Sequence, residues 1–318
     1  MHLDRPFLQL PLLFDDAVLG AEIACLPDRA WTPHPNGIPG NEAVRLITPG
    51  GRPTDDLTGA PMRPTEFLSA CPYIMQVMAA IGTVWGRARL MRLAAGATVP
   101  PHIDTHFYWR THLRIHVPIV TNRGVSFTCD DQTIHMAGGE CWVFDTFAMH
   151  HVRNAGSDSR THLVIDTVGD EALWSLMERA KTITPAARRE VPIVTPCAEK
   201  GALKFEHAET GRVMTPWELD HHVKFALGQT TDGPNYVRAA ERLDTFVAEW
   251  AGLYAQFASS IEGVPHYRRA MARLDADFLM AWAGELRLRN RIFLRRQIAE
   301  LIFALEATLP EPQVERAA

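Results

Sequence analysis

From residue 87 to residue 168 the chain is a succession of short apolar segments, each ended by a turn. This rhythm constrains the fold more than any other feature of the sequence. RARLMRLAAG (87–96) is followed by strand-like stretches at 112–120, 125–129, 133–137, 141–145, 150–153 and 161–168, punctuated by Gly124, Gly138, Gly139 and Gly156. No helix-length segment separates them, so the pattern predicts a sandwich or barrel and not a series of βαβ units.

The same stretch concentrates imidazole. Eight of the chain's 14 histidines lie between His102 and His162. His102-Ile-Asp104 puts an imidazole and a carboxylate two residues apart, and on a strand such positions face the same side. HHVRN (150–154) supplies a second histidine about 48 residues on, from His150 or from His151. Two histidines and one carboxylate on one face, with other coordination positions open, form the ligand set that binds non-haem Fe(II) and activates O2. Arg160 opens the segment RTHLVIDT ten residues after His150. Its planar guanidinium suits the distal carboxylate of a dicarboxylate, and the natural partner is 2-oxoglutarate, whose keto-acid end chelates iron. In HLRIHVPIV, His112, Arg114 and His116 alternate onto one face, so Arg114 and His116 are expected in the metal's cavity. His162 alternates with Arg160 and is a candidate for orienting the groups around it.

The segments RLMRLAAGATVPPHID, RTHLRIHVPI, GGECWVFDTFAMHHVRN and RTHLVID, in that order, resemble the aspartyl/asparaginyl β-hydroxylase family. These Fe(II)/2-oxoglutarate oxygenases are similar in turn to bacterial free-proline hydroxylases. The resemblance covers residues 40–170 and is strongest over 90–167. It implies that His102 and the histidine after the FD-containing strand are iron ligands. It also implies that Arg160 binds the co-substrate carboxylate, assisted by the R-x-H pair Arg114 and His116. The family's order of FD, a short loop, His, one variable residue and Val places the second histidine ligand at His150, with His151 as the alternative. Asp104 completes the triad, as in the bacterial proline hydroxylases, whereas the vertebrate peptidyl hydroxylases of the family use two histidines alone.

The fold implied is mainly β plus α: a cupin-type double-stranded β-helix over residues 1–175 and a helical C-terminal domain over 176–318. The activity implied is that of a dioxygenase using Fe(II), 2-oxoglutarate and O2. It would hydroxylate an unactivated C–H bond of an amino acid, a peptide or an amino-acid-derived natural product. A metal-binding cupin that is not an oxygenase, such as an isomerase or sensor, would keep the triad and have no need of Arg160. A protein-interaction module with an inert barrel would need neither.

Outside the barrel the sequence is less specific. Trp31, His34 and Asn36 fall in a loop-like segment, and a helix is predicted over 72–85 from Pro72, a favoured first-turn residue. That helix lies in a charge-free run, Phe67 to Gly86, whose helical part is too short to span a bilayer. Arg92 and Arg110 are candidates for pairing with a substrate carboxylate. Residues 182–198 hold three prolines and read as a linker or crossing segment. From Pro216 the chain reads as amphipathic helices, with Leu243, Phe246, Val247, Trp250, Tyr254 and Phe257 on one face. Phe278, Trp282, Phe293 and Phe303 are expected in a helix-packing core, and the arginines between 287 and 296 on a solvated face. Those helices either shape the substrate side or serve as the contact of a homodimer. A net charge of −5 gives no reason to expect nucleic acid as a partner. Five scattered cysteines without a CxxC pair, and an N-terminus without a signal-peptide pattern, point to a reducing, cytoplasmic setting.

Overall fold

The apolar runs of the sequence pair into two sheets. A computed structural model describes residues 3–198, 201–207, 213–279 and 285–302. In chain order the strands are β1 (Phe7–Phe14), β2 (Thr32–Pro33), β3 (Asn41–Pro49), β4 (Met62–Pro64), β5 (Val84–Leu93), β6 (Thr98–His102) and β7 (Leu113–Val120). They continue as β8 (Val125–Cys129), β9 (Gln132–Ile134), β10 (Glu140–Phe144), β11 (His150–Asn154), β12 (Arg160–Thr167), β13 (Ile193–Val194) and β14 (Lys204–Phe205). The helices are α1 (Asp16–Ala24), α2 (Glu66–Ser69), α3 (Pro72–Ile81), α4 (Tyr108–Thr111), α5 (Glu171–Thr182) and α6 (Pro185–Arg189). After them come α7 (Pro216–Gln229), α8 (Tyr236–Phe257), α9 (Val264–Leu274) and α10 (Leu294–Leu301).

The larger sheet runs β13-β1-β10-β7-β12-β5-β3-β2 and the smaller one β6-β11-β8-β9. From β5 to β12 the chain passes back and forth between the two, so that β5, β7, β10 and β12 lie in one and β6, β8, β9 and β11 in the other. This is the double-stranded β-helix expected. Central strands are covered on both faces: β12 is buried along its whole length and β7 at every residue but Val120. β11 alternates instead, burying His150, Val152 and Asn154 and turning Arg153 outward. The inner faces of the two sheets meet in a core that includes Phe7, Leu93, Phe127, Phe144 and Val152. Phe127 and Phe144 cross edge to face at 4.8 Å.

The chain divides into two compact units, one of Met1–Asp104 with Thr111–Ala208 and the other of Thr105–Arg110 with Glu209–Ala318. Residues 176–208 therefore cluster with the barrel, although the sequence groups them with the helices. The reason is backbone pairing: β13 adds in parallel to β1, and β14 adds in parallel to β5. Helix α3 also ends earlier than predicted, because Gly82 adopts a left-handed conformation (φ 72°) and closes it. In the helical unit α7 starts at a full capping box between Thr215 and Glu218. Helix α8 buries Leu243, Phe246 and Trp250, while Val247, Tyr254 and Phe257 stay half-buried at the margin of that face. The Trp250 ring lies 4.6 Å from Tyr267 of α9. Phe293 departs from the expected core: it is 40% exposed, and the Arg287 guanidinium covers its ring at 3.7 Å. The side chains of Phe278, Trp282 and Phe303 lie outside the described residues. The arginines at 287, 289, 291, 295 and 296 are exposed, as expected, with Leu288, Ile292 and Leu294 buried between them.

One buried amide ties β11 to the rest of the barrel. Asn154 Nδ2 donates to the carbonyls of Leu93 (3.1 Å), Ala94 (3.0 Å) and Asp158 (2.8 Å). Replacing it by alanine removes all three of these bonds from a fully buried position. Asn154→Ala is expected to destabilise the protein by about 1–3 kcal/mol, read from the denaturation midpoint at unchanged slope.

Candidate active site

Strand pairing brings the two ends of the histidine-rich stretch together. His102 is the last residue of β6 and His150 the first of β11, and the two stand opposite each other in the antiparallel ladder. Their rings lie 4.2 Å apart. Asp104 is two residues beyond the end of β6, where its amide donates to the Thr146 carbonyl (3.0 Å). The alternation expected to align His102 and Asp104 on a strand is thus replaced by a loop pinned to the β10–β11 turn. One ligand atom from each of His102, Asp104 and His150 falls within 4.8 Å of the others. His151 is not part of this group.

The donor set suits a metal ion. His102 Nδ1 lies 2.9 Å from the Pro100 carbonyl, and His150 Nδ1 lies 3.0 Å from the Ala148 carbonyl. A carbonyl can only accept, so each ring carries its proton on Nδ1 and leaves Nε2 bare as a ligand. Burial pushes the His150 imidazole down to about 4, the nearby Asp104 carboxylate only partly offsetting it, which keeps the ring neutral. Burial alone would raise the Asp104 carboxyl, but the Arg114 guanidinium beside it is the main influence holding it below its ordinary value.

Arg114 organises the interior. Its Nη1 donates to Asp104 Oδ2 at 2.6 Å, and its Nε donates to Asp166 Oδ1 at 2.8 Å. Sequence alone gave Arg114 to the co-substrate, whereas here its fork is committed to two carboxylates. Asp166 also faces the Arg87 guanidinium at 3.6 Å. Against the effect of burial, Arg114 and Arg87 bring the Asp166 carboxyl down to about 2. Arg89, buried beside them, meets the imidazole of His34 at 3.1 Å and has no carboxylate partner among the described residues. Burial and the Arg89 charge lower the His34 imidazole to about 4, so it accepts as a neutral ring. Arg87, Arg89 and Asp166 escaped the sequence reading, which placed His34 only in a loop-like segment. The one available signal was that Arg87 and Arg89 alternate onto one face of β5.

At the start of β12, Arg160 is 4% exposed, its Nε has no hydrogen-bond partner, and it forms no ion pair among the described residues. Burial depresses its guanidinium to about 9. His116 packs against Phe127 and Phe144, whose rings also flank His150. His116 and His162 touch through their Nδ1 atoms at 3.4 Å. Other expected residues are engaged elsewhere. His112 pairs with Glu206 at 3.0 Å, and Arg92 pairs with Glu42 at 2.7 Å and lies over the Trp31 ring at 3.9 Å. In the helical unit Arg110 covers the Phe225 ring at 3.3 Å.

Residues 55–169 match the Aspartyl/Asparaginyl beta-hydroxylase family, which bears out the resemblance read in the sequence. L-proline cis-3-hydroxylase 1 from a Streptomyces species is 32% identical over 155 residues, covering 43% of this chain and 51% of that protein. L-proline cis-4-hydroxylase from Rhizobium meliloti (strain 1021) is 28% identical over 130 residues, covering 39% and 46%. The chain spans about half the length of these curated relatives. A solved oxidoreductase of the 2OG-Fe(II) oxygenase family, from Burkholderia pseudomallei, is 18% identical with a TM-score of 0.37, covering 48% of this chain and 78% of its own. Among the described residues no helix is long and apolar enough to cross a membrane.

The buried imidazoles give stability a definite pH dependence. Burial, reinforced by Arg160, holds His116 and His162 well below the ordinary value of 6.5, while the unfolded chain binds protons there normally. Below pH 6.5 the unfolded state therefore takes up protons that the folded state refuses, and folding stability falls as pH falls. Each such ring contributes a slope of about 1.4 kcal/mol per pH unit. Thermal melts of the metal-free protein from pH 7.5 to 5 are expected to show a steadily decreasing Tm, with a shallower slope in His162→Asn.

Proposed function

We propose that this chain is an Fe(II)/2-oxoglutarate-dependent oxygenase that hydroxylates an unactivated C–H bond of a small, carboxylate-bearing amino acid or amino-acid-derived molecule. The observation that carries this reading is the buried Arg160 without an anionic partner, in the same barrel as the His102–Asp104–His150 group. An isolated buried cation is strongly disfavoured unless something neutralises it, and a guanidinium fork is shaped for a carboxylate. A cupin that only held a metal would have no use for it. The matched relatives are named for hydroxylation of L-proline, which supports an amino-acid substrate.

The chain's own groups divide the work. His102 Nε2, His150 Nε2 and a carboxylate oxygen of Asp104 would hold the iron, and Arg114 fixes the Asp104 carboxylate in place. Iron held there would supply the chemistry of O2-dependent hydroxylation, coupled to conversion of 2-oxoglutarate to succinate and CO2 with one oxygen atom going to each product. Arg160, with His116 beside it, receives the distal carboxylate of 2-oxoglutarate. Phe127 and Phe144 keep water from the flank of His150. Arg89 is the second buried guanidinium without a carboxylate, and we assign it, with His34, to the substrate's carboxylate.

Two substitutions separate these roles. Arg160→Lys keeps the charge and loses the fork, so 2-oxoglutarate affinity should fall by about 10- to 150-fold, the worth of one charge-assisted hydrogen bond. Equal affinity in a calorimetric titration would remove Arg160 from the co-substrate site. Arg89→Gln should leave 2-oxoglutarate binding intact and raise KM for the amino-acid substrate at least about tenfold. The assay is Fe(II)-dependent succinate formation across free amino acids, L-proline first. No 2-oxoglutarate consumption with any of them, together with no 2-oxoglutarate binding, would refute the oxygenase reading.

A further inference from the structure

His162 lies two residues after Arg160 on β12, on the same face, and is 1% exposed. Its ring stands nearly perpendicular to that of His116, at 88° with centroids 5.6 Å apart, and the two Nδ1 atoms approach to 3.4 Å. The Arg160 charge acts on both rings, and burial and that charge keep both neutral. Two neutral imidazoles meeting nitrogen to nitrogen attract only if one Nδ1 bears a proton and the other a lone pair. The rings must therefore be opposite tautomers.

Two observations choose between the two arrangements. First, His162 Nε2 is buried with no hydrogen-bond partner. A buried N–H with no acceptor is rare and costly, so the unpartnered Nε2 is the lone-pair nitrogen. This puts the proton of His162 on Nδ1. Second, His116 is the less buried of the two residues, 6% exposed against 1%. With its Nδ1 accepting from His162, its proton lies on Nε2, the atom left free to meet a ligand. An anion held by Arg160 and reaching that atom would meet a donor there.

We propose that His162 is a positioning residue: it donates from Nδ1 to His116 Nδ1 and so locks His116 as an Nε2–H donor that joins Arg160 on the distal carboxylate of the co-substrate. This rests on the assignment of Arg160 to 2-oxoglutarate. Without His162, His116 would be free to carry its proton on Nδ1 and turn a lone pair toward the anion.

The test uses the full chain with 15N-labelled histidine. In ligand-free protein, ring-nitrogen shifts should show a protonated Nδ1 on His162 and a protonated Nε2 on His116, with signals assigned through His162→Asn and His116→Gln. The opposite pair of tautomers would overturn the proposal, and this readout stands even if a more disruptive variant does not fold. Calorimetric titration of 2-oxoglutarate into manganese-loaded protein should then show about tenfold weaker binding in His162→Phe, the worth of one hydrogen bond. His162→Asn, whose amide N–H falls near the position of Nδ1, should restore affinity to within about threefold of wild type. KM for 2-oxoglutarate should follow these affinities while kcat at saturating co-substrate holds. If wild type binds 2-oxoglutarate and His162→Phe binds it equally well, the positioning role fails and the oxygenase reading survives. If wild type binds none, the co-substrate assignment of Arg160 falls and the proposal falls with it.

Discussion

The interior of the barrel is held by one guanidinium shared between two carboxylates. Arg114, on β7, reaches Asp104 in the loop after β6 and Asp166 on β12. Those residues belong to three segments that the chain visits separately. Burial disfavours the charged form of each of these groups, and the shared contact offsets that cost for all three. The same contact points the Asp104 carboxylate toward His102 and His150. The fold's electrostatic keystone and the orientation of the candidate metal ligands are therefore one interaction, and loosening it would disturb both.

Around that keystone the cavity carries more buried positive charge than its own carboxylates answer. Arg87 and Arg114 share Asp166, while Arg89 has only a neutral imidazole and Arg160 has no ion-pair partner among the described residues. Such an imbalance costs stability in an empty protein and is reduced when anions bind. Two guanidiniums without a carboxylate partner, on β5 and β12, are what the proposed dicarboxylate co-substrate and carboxylate substrate call for. The histidines follow the same logic. Burial keeps His34, His116, His150 and His162 uncharged, so they serve as acceptors, donors or bare ligands without adding to the positive field.

The sequence by itself determined the barrel, brought out the candidate metal triad and singled out Arg160. Those features are local: a turn every few residues, two ligands within three positions, and an arginine opening a strand, all of which survive reading along the chain. The choice of His150 over His151 came from the family's spacing, and β11 buries His150 along with Val152 and Asn154. Tertiary structure decided the rest, because it depends on which strands become neighbours. Arg89 meets His34 and Arg87 meets Asp166 only because β3, β5 and β12 are adjacent in the sheet. Nothing in the spacing of those residues announces it. The same holds for β13 and β14, whose two-residue strands carry no periodicity and join the barrel through backbone pairing alone. Arg92 and Arg114 show the limit most clearly: both are arginines on strands, yet one spends its charge on Glu42 at the barrel's margin and the other on Asp104 and Asp166 within it. A side chain's periodicity gives the face it occupies, but its partner is fixed by packing between segments far apart in the chain.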